Sequence, residues 1–410
     1  MSVVVVGGGP AGLAAAIELR RLGAYRVVVL DREAEPGGVP RHCDHLGFGL
    51  RDFHRVLGGP RYAARYATLA ERAGVEIRTR TTATDWTGST TLTTTSPRGI
   101  ETVAADAVLL ATGCRERPRS ARLVPGTRPL GVLTTGALQQ LVHLHHERVG
   151  RRAVVVGAEH VSFSAVLTLA ASGTETVAMV TEHAAHQSYA ALAWLAARRR
   201  GVPVLPRMRV SAVRGRRRVE GVELTDVATG VRRLIACDTV VFTGDWIPDH
   251  ELARRGGLSM DPANRAPRVD QAGRTSVRGV FAAGNLVHAA ETADVAALGG
   301  RAAAAAMAGF LERGTWPRAL IPIVCESPLA WVAPNVVDPD TPPPSRFLFR
   351  TSIERAPVDL IVSQSSRALL RRRYRRLVPN RSLHAPAGWV AGLEPAGGPV
   401  VWRVVDRDAS

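Results

Sequence analysis

The amino-acid sequence predicts an α/β protein with two Rossmann-like dinucleotide-binding domains and a C-terminal all-β, sandwich-like domain. Two segments have the pattern of strand, glycine-bearing turn and helix, one at the N-terminus and one from Arg152 onward. This pattern opens a doubly wound parallel fold. After Gly314 short β-prone runs alternate with prolines, which indicates antiparallel sheets. The predicted domains are 1–116 with 263–314 (discontinuous), 117–262, and 315–410.

The N-terminal motif is a dinucleotide-binding turn in its full context. The β-branched run Ser2–Val6 predicts a buried parallel strand, and 13–21 predicts a helix. Between them, Gly7 permits a sharp turn, Gly9 lets a diphosphate approach the backbone, and Gly12 allows close packing of the helix on the sheet. The diphosphate then lies on the amides and the positive end of the helix dipole. The predicted contact residues are Gly7, Gly9, Pro10, Ala11 and Gly12.

An acid and three later glycine-containing steps extend this motif towards FAD. A second predicted strand, Arg26–Leu30, ends at Asp31, whose carboxylate can accept hydrogen bonds from both hydroxyls of an adenosine ribose. The run 31–38 resembles the acid-x5-Gly-Gly run of flavoproteins with two dinucleotide domains, and the steps at 111–113 and 275–285 resemble their later FAD motifs. The residues assigned to FAD on this basis are Asp31, Arg32, Gly37, Gly38, Ala111, Thr112, Gly113, Gly284 and Asn285.

The third FAD motif departs from its usual form at its last residue. It ordinarily ends in Gly-Asp, whereas this chain has Asn285. An amide can still hydrogen-bond a ribityl hydroxyl, so we interpret the change as tolerated. The alanine-rich segment 293–307 follows and predicts a helix whose N-terminus, at Thr292, aims amides and dipole at the pyrimidine carbonyl of the flavin. Thr292 is also a candidate N-cap.

The second dinucleotide turn has lost two of its three glycines. After the strand Arg152–Val156, only Gly157 remains, while Glu159 and Ser162 stand where glycine is needed. A carboxylate at this place repels phosphates by about 1 kcal/mol at 4 Å in water and by several-fold more when partly buried. The sequence therefore predicts a Rossmann architecture with weak or no NAD(P)H binding. An atypical nicotinamide site stays open as the alternative. Strands are also predicted at 177–180, 210–213, 219–225 and 231–235.

Three segments resemble a known group of flavoproteins. They are PGGVPRHC at 36–43, LTTGALQQLV at 133–142, and GNL at 284–286 with ETADVAA at 291–297. Together they resemble the larger flavoprotein subunit of opine oxidases, hydrogen cyanide synthase and dye-linked proline or hydroxyproline dehydrogenases. The resemblance implies oxidation of a C–N bond in an amino acid, imino acid or amine. It further implies that electrons leave through FAD to an iron–sulfur protein or a quinone, and that a smaller second flavoprotein is a partner.

The chain lacks two cysteine patterns that occur among related flavoproteins, a redox-active pair and a cysteine-rich cluster-binding segment. No CxxC or C-x4-C follows Gly38, which excludes disulfide reduction as the reaction. Cys325 is the only cysteine beyond residue 237, and an iron–sulfur cluster needs four ligands. Any [2Fe–2S] cluster is therefore expected on another polypeptide. We predict no metal site, and we interpret His143, His145 and His146 as a solvated helix face.

The candidate catalytic residues are His42, Cys43 and Glu291. His42 and Cys43 follow the Gly37-Gly38 pair, where such folds bring the chain across the isoalloxazine, and an imidazole there could move a proton. The alternative is that both are packing residues. Glu291 immediately precedes the helix predicted to face the flavin.

Charge and hydropathy exclude other classes of protein. The formal net charge is +17, and every basic residue is arginine, spread along the chain. The densest run, 371–376, lacks the companions of a nucleic-acid module, so we interpret it as a solvated edge strand, with docking to a partner as the alternative. No stretch of about 18 apolar residues lacks glycine or charge, so no membrane span is predicted. We expect a cytoplasmic location because residues 1–22 lack a basic leader.

These observations predict an FAD-dependent oxidoreductase acting on an amine or amino-acid substrate, alone or as one subunit of a complex. A first alternative is an enzyme whose flavin is reduced by NAD(P)H. A second is a non-catalytic flavoprotein subunit that relays electrons within a complex.

Overall fold

The computed structural model describes residues 1–317 and 319–407, which form two compact units. The first unit consists of Met1–Arg41, Leu46–Cys114 and Pro248–Ser410, and the second of His42–His45 and Arg115–Ile247. The predicted boundary after 262 lies later than the observed return at Pro248. The first unit includes residues 315–410, which were predicted as a separate domain. Its residues 318 and 408–410 lie outside the described residues.

Seven α-helices and 28 strands are assigned within the described residues. The helices are α1 (Pro10–Arg21), α2 (Gly59–Arg72), α3 (Thr135–Gln139), α4 (His160–Ala171), α5 (Ala190–Ala196), α6 (Glu251–Arg255) and α7 (Ala293–Arg313). The strands up to the second unit are β1 (Ser2–Val6), β2 (Arg26–Leu30), β3 (Leu46–Phe48), β4 (Leu57–Gly58), β5 (Glu76–Arg78), β6 (Thr82–Gly88), β7 (Thr91–Ser96), β8 (Gly99–Ala104), β9 (Ala107–Leu110) and β10 (Cys114–Glu116). Those that follow are β11 (Val132–Thr134), β12 (Arg152–Val156), β13 (Glu175–Val180), β14 (Val204–Leu205), β15 (Met208–Gly215), β16 (Val219–Asp226), β17 (Arg232–Ala236), β18 (Thr239–Phe242) and β19 (Trp246–Pro248). The last are β20 (Val280–Ala282), β21 (Ile321–Cys325), β22 (Leu329–Ala333), β23 (Val336–Val337), β24 (Arg346–Thr351), β25 (Val358–Gln364), β26 (Arg367–Tyr374), β27 (Leu383–Pro386) and β28 (Val400–Asp406).

A parallel sheet of order β20-β9-β1-β2-β5 carries the first glycine-rich turn. Its valine-rich strands are buried on both faces, as parallel strands covered by helices require. Helix α1 packs against α7 so closely that a Cβ on Gly300 would lie 2.1 Å from the Ala11 carbonyl oxygen. The predicted Rossmann architecture is confirmed. The antiparallel sheet β6-β7-β8, inserted before β9, was not predicted.

The C-terminal segment forms a five-stranded sheet, β23-β21-β28-β25-β26, and a three-stranded sheet, β22-β24-β27. Large buried side chains of both sheets share one core, including Phe347, Phe349 and Trp402. The predicted sandwich-like, all-β arrangement is confirmed, with one difference. Strand β28 lies between β21 and β25, pairing in parallel with β21 and antiparallel with β25. Strand β26, which contains most of the arginine-rich run, is an edge strand as predicted.

The second unit repeats the doubly wound pattern. Its parallel sheet has the order β11-β18-β12-β13-β14, and α4 follows β12. The predicted meander is present as the antiparallel sheet β15-β16-β17. The second Rossmann-like domain is therefore confirmed, although its turn lacks the usual glycines.

Among the residues described, one helix, α7, is long and apolar enough to cross a membrane by length and composition. Half of that stretch is buried within the fold, and its face carrying Ala303, Ala304 and Met307 belongs to the core around α1. A core helix has the same composition as a membrane span.

Candidate functional site

The first glycine-rich turn leaves backbone uncovered at the N-terminus of α1. A Cβ on Gly9 would have Gly38 Cα as its nearest neighbour, at 3.9 Å, so Gly9 faces only another glycine. Gly9 is the N-cap, which brings no side-chain acceptor to the helix, and Pro10 opens the first turn. A diphosphate fits here because the amides and the positive helix end have no competing side chain.

Close packing explains two further glycines of this turn, Gly7 and Gly12. A Cβ on Gly12 would lie 1.9 Å from the Gly7 carbonyl oxygen. Gly7 has a φ of 109°, and its Cβ would lie 2.4 Å from the Ala111 carbonyl oxygen. Gly7 and Gly12 therefore shape the turn, while Gly9 keeps it open.

Asp31 anchors the turn as well as ending β2. Its carboxylate accepts hydrogen bonds from the Gly8 and Glu33 backbone N–H groups, both at 2.9 Å. Burial raises the pKa of Asp31, and these backbone hydrogen bonds oppose that rise. A carboxylate has about four acceptor positions, so capacity remains for the predicted ribose hydroxyls. The neighbouring Arg32 is exposed and ion-paired with Asp249 at 3.2 Å.

The Ala-Thr-Gly step lies directly behind the turn, at the end of β9. Thr112 donates its hydroxyl to the Asp249 carbonyl at 2.8 Å, and the Gly113 carbonyl accepts from the Asp249 N–H at 2.9 Å. The Thr112 side chain is therefore engaged within the protein. The predicted FAD-binding role of Ala111, Thr112 and Gly113 stays a prediction.

Asn285 links the end of the third FAD motif to Glu291. Its side-chain N–H donates to the Glu291 carbonyl at 3.1 Å, and its amide oxygen accepts from the Glu291 N–H at 3.1 Å. One N–H remains for the predicted ribityl contact. Gly284 has a φ of 71°, and a Cβ there would lie 2.6 Å from Ala11 Cβ. Thr292 is the N-cap of α7 by position, but its hydroxyl donates to Asp294 instead of capping a backbone amide.

Glu291 has its carboxylate in a buried ion pair. The Arg350 guanidinium donates to it at 2.9 Å, and the Ser382 hydroxyl donates to the same oxygen. The side chains of Arg350 and Glu291 are 9% and 3% exposed. This environment favours a positioning role, and a catalytic role for Glu291 stays a prediction. Sequence reasoning missed Arg350 because no local pattern links β24 to a residue so far upstream.

His42 and Cys43 are buried and are counted with the second unit. The Cys43 thiol donates to the Gln139 amide oxygen at 3.1 Å. Burial raises the pKa of Cys43 to about 12, so the thiol is protonated at neutral pH. A thiolate is the reactive form of cysteine, so the structure favours the packing interpretation of Cys43. A proton-transfer role for His42 stays a prediction.

The second dinucleotide turn is filled by Glu159. Its buried carboxylate accepts from the Ser162 hydroxyl and, at 3.3 Å, from the Thr243 hydroxyl. Ser162 accepts in return from the Glu159 N–H at 3.2 Å, so the two residues form a capping box at the start of α4. Burial raises the pKa of Glu159. The carboxylate thus occupies the helix end at which a diphosphate would otherwise bind.

The segment after β13 closes over the same turn. The Gln187 N–H donates to the Ala158 carbonyl at 2.9 Å. His160 hydrogen-bonds Ser188 at 2.7 Å, and its ring stacks on Tyr189 with centroids 4.7 Å apart. Residues 187–189 therefore pack against the second dinucleotide turn and the start of α4.

The histidine-rich segment differs from the prediction at one residue. His143 is half-buried beside Thr168, 3.4 Å away, and burial lowers its pKa, whereas His145 and His146 are exposed. His143 lies in the π-helical segment Gln140–Leu144. Within 1–317 and 319–407, no group of three histidine, cysteine or acidic residues is arranged to hold a metal ion.

Comparison with known proteins finds related sequences and folds. Residues 1–300 match the model of the pyridine nucleotide-disulphide oxidoreductase family. The alpha subunit of sarcosine oxidase from Corynebacterium sp. (strain P-1) is 31% identical over 82% of this chain and 35% of that protein. An opine oxidase subunit of Rhizobium meliloti is 28% identical over 69% of this chain and 58% of that protein. The chain therefore spans about a third to three fifths of the length of these relatives.

Solved structures share the fold. Thioredoxin reductase of T. acidophilum aligns with a TM-score of 0.62 at 23% identity, covering 76% of this chain and 98% of that chain. L-proline dehydrogenase of P. horikoshii aligns with a TM-score of 0.54 at 18% identity, covering 77% of this chain and 56% of that chain. With its open first turn, its acid at the end of β2 and three ordered motifs, the chain is an FAD-binding member of the pyridine nucleotide-disulphide oxidoreductase family.

Proposed function

We propose that this protein oxidises a C–N bond of an amino acid, imino acid or amine and passes the electrons to an acceptor other than a nicotinamide nucleotide. The observation that carries this proposal is the contrast between the two dinucleotide turns. Gly9 leaves the first turn open, whereas the Glu159 carboxylate and the segment around Gln187 fill the second. A flavin without a bound nicotinamide partner must take its electrons from another donor.

The residues of the first unit provide the cofactor site. FAD, when bound, supplies a two-electron acceptor. The amides at the start of α1 would hold its diphosphate, and Asp31 would accept from its ribose. The N-terminus of α7, after Thr292, would place the positive end of a 21-residue helix towards the flavin, which favours negative charge there.

The names of the relatives supply the substrate class. Sarcosine and opines are both secondary amines, and the matched relatives are subunits of the oxidases named after them. We therefore propose a secondary amine or imino acid as substrate, and a complex with a second flavoprotein. We further propose that any [2Fe–2S] cluster lies on a separate polypeptide, because the cluster needs four ligands and the four cysteines of this chain lie far apart in the sequence. We propose the cytoplasm as the compartment.

Anaerobic mixing of the yellow protein with candidate donors tests the proposal. Sarcosine, L-proline and an opine are compared with NADH and NADPH, and loss of the visible flavin absorbance is followed by stopped flow. Bleaching by at least one secondary amine, with none by either nicotinamide nucleotide, is the expected result. Rapid bleaching by NADH or NADPH would overturn our interpretation of Glu159.

A second candidate function is electron relay within a complex. The relatives are subunits, and this chain covers only part of their length, so the amine site can lie on another chain. Under this alternative no amine bleaches the flavin until the partner is added. The same mixing experiment, repeated with the proposed second flavoprotein of the complex added, separates the two candidates.

A further inference from the structure

The third FAD motif is tied to the C-terminal sheets by a continuous series of polar contacts. Asn285 is bonded to both the N–H and the carbonyl of Glu291, each at 3.1 Å. The Glu291 carboxylate accepts from Arg350 at 2.9 Å and from the Ser382 hydroxyl. Glu291 therefore contacts the FAD motif through its backbone and the C-terminal sheets through its side chain.

Arg350 is held from several sides. It lies on β24, 59 residues after Glu291, and the whole residue is 8% exposed. Besides the carboxylate, it donates to the Ala290 carbonyl at 3.1 Å and to the Asn380 carbonyl, and its guanidinium lies 5.7 Å from the centroid of the Trp331 ring. A planar, always charged guanidinium with several acceptors has one favoured orientation.

The backbone that Arg350 contacts is in a strained conformation. Ala290 has a φ of 61°, in the left-handed region that is unfavourable for a residue with a Cβ. Ala290 directly precedes Glu291 and the start of α7. Such a conformation persists only where surrounding contacts impose it, and the Arg350 hydrogen bond to the Ala290 carbonyl is one of these contacts.

We propose that Arg350 is a positioning residue for FAD. Acting through Glu291, it holds Asn285 and the first turn of α7 in the arrangement that receives the flavin end of the cofactor. The C-terminal sheets are then part of the cofactor site, although their residues lie outside all three FAD motifs. This inference depends on FAD binding alone and not on the substrate.

The variant Arg350→Met tests the proposal, because it keeps much of the packing volume and leaves the Glu291 carboxylate without its counter-ion. The FAD dissociation constant, from fluorescence titration of the apoprotein, should rise at least tenfold. The midpoint potential of the bound flavin should shift by about 30 mV. A shift of this size means that the affinities for oxidised and for reduced flavin fall by factors that differ tenfold. Arg350→Lys keeps the positive charge but loses the forked set of guanidinium N–H donors. Its FAD dissociation constant should lie between those of Arg350→Met and the unaltered protein.

Two comparisons separate positioning from general destabilisation. Arg373→Met, on the exposed edge strand β26, should change the dissociation constant by less than twofold. In a Glu291→Ala background, the effect of Arg350→Met should be at least threefold smaller, because the contact it acts through is gone. An unchanged dissociation constant and potential in Arg350→Met, or an undiminished effect in that background, would overturn the proposal. If Arg350→Met does not fold, Ser382→Ala is tested in its place. A rise of at least threefold in its FAD dissociation constant would support the proposal, and an unchanged constant would overturn it.

Discussion

Replacing Gly9 with alanine should weaken FAD binding substantially without weakening the fold. Gly9 has φ −80° and ψ −174°, extended backbone that any residue adopts. The added methyl group would meet only Gly38 Cα, at 3.9 Å, which is ordinary contact distance. The apoprotein therefore has room for the change, whereas a diphosphate seated on the same backbone does not.

The magnitudes follow from these contacts. Alanine in place of glycine at an unstrained position stabilises a protein by about 0.4–1 kcal/mol through the unfolded state. Hydrogen bonds between backbone amides and a charged phosphate contribute about 1.5–3 kcal/mol each. Losing one of them raises the FAD dissociation constant by roughly 10- to 150-fold.

Gly12→Ala is the matched control, because it adds the same methyl group at a crowded place. Its Cβ would lie 1.9 Å from the Gly7 carbonyl oxygen and 3.2 Å from Val5 Cγ1. Overpacking of this kind costs about 1–3 kcal/mol, so this variant should lose apoprotein stability. The assay is thermal unfolding of the two apoproteins together with FAD titration by fluorescence. Gly9→Ala that binds FAD within threefold of the unaltered protein, or that unfolds as readily as Gly12→Ala, would refute the reasoning.

Three further predictions concern buried polar groups. Because burial raises the pKa of Glu159, the folded protein loses stability as pH rises above about 4.5, the pKa of an ordinary glutamate. The variant Glu159→Gln lacks this loss, so its free energy of unfolding relative to the unaltered protein should increase between pH 5 and pH 8. The increase should be at most about 1.4 kcal/mol per pH unit, measured by urea unfolding. A decline of that difference with pH would contradict the assignment. The Cys43 thiol, whose pKa is about 12, should not react with a thiol reagent in the native protein at pH 8, and fast labelling assigned to it by peptide mapping would count against its burial. Arg274 pairs with Asp270 at 2.6 Å and Asp338 at 2.7 Å, so Arg274→Met should destabilise the first unit by about 3–5 kcal/mol, and an unchanged melting temperature would show the pairs to be dispensable.

The sequence predicts most of the first dinucleotide fold because its determinants are local. Strand, turn and helix follow one another from Ser2 to Arg21, so spacing alone places the glycines. The antiparallel sheet β6-β7-β8 escaped prediction because its threonine-rich strands lack a clear apolar alternation, and their burial comes from contacts such as Trp86 Nε1 to the Leu252 carbonyl. That contact joins residues 166 positions apart.

The candidate site shows the same division between local and distant determinants. Glu159 and Ser162 stand at the N-cap and N3 positions of α4, so the sequence alone places a carboxylate in the turn. It does not show which groups receive that carboxylate, because Thr243 is 84 residues away. Arg350 is hidden for the same reason, since a charged residue on a predicted strand is ordinarily exposed.

The two turns differ in how the first amides of each helix find an acceptor. A helix leaves its first N–H groups without partners inside the helix, and something must accept from them. In α4 the Glu159 side chain accepts, and in α3 the Glu116 carboxylate accepts from Thr135 N–H at 3.2 Å and Gly136 N–H at 2.9 Å. In α1 the N-cap is Gly9, which brings no acceptor. The second unit thus completes these two helix ends with its own carboxylates, whereas the N-terminus of α1 has no side-chain acceptor and suits the predicted FAD phosphates.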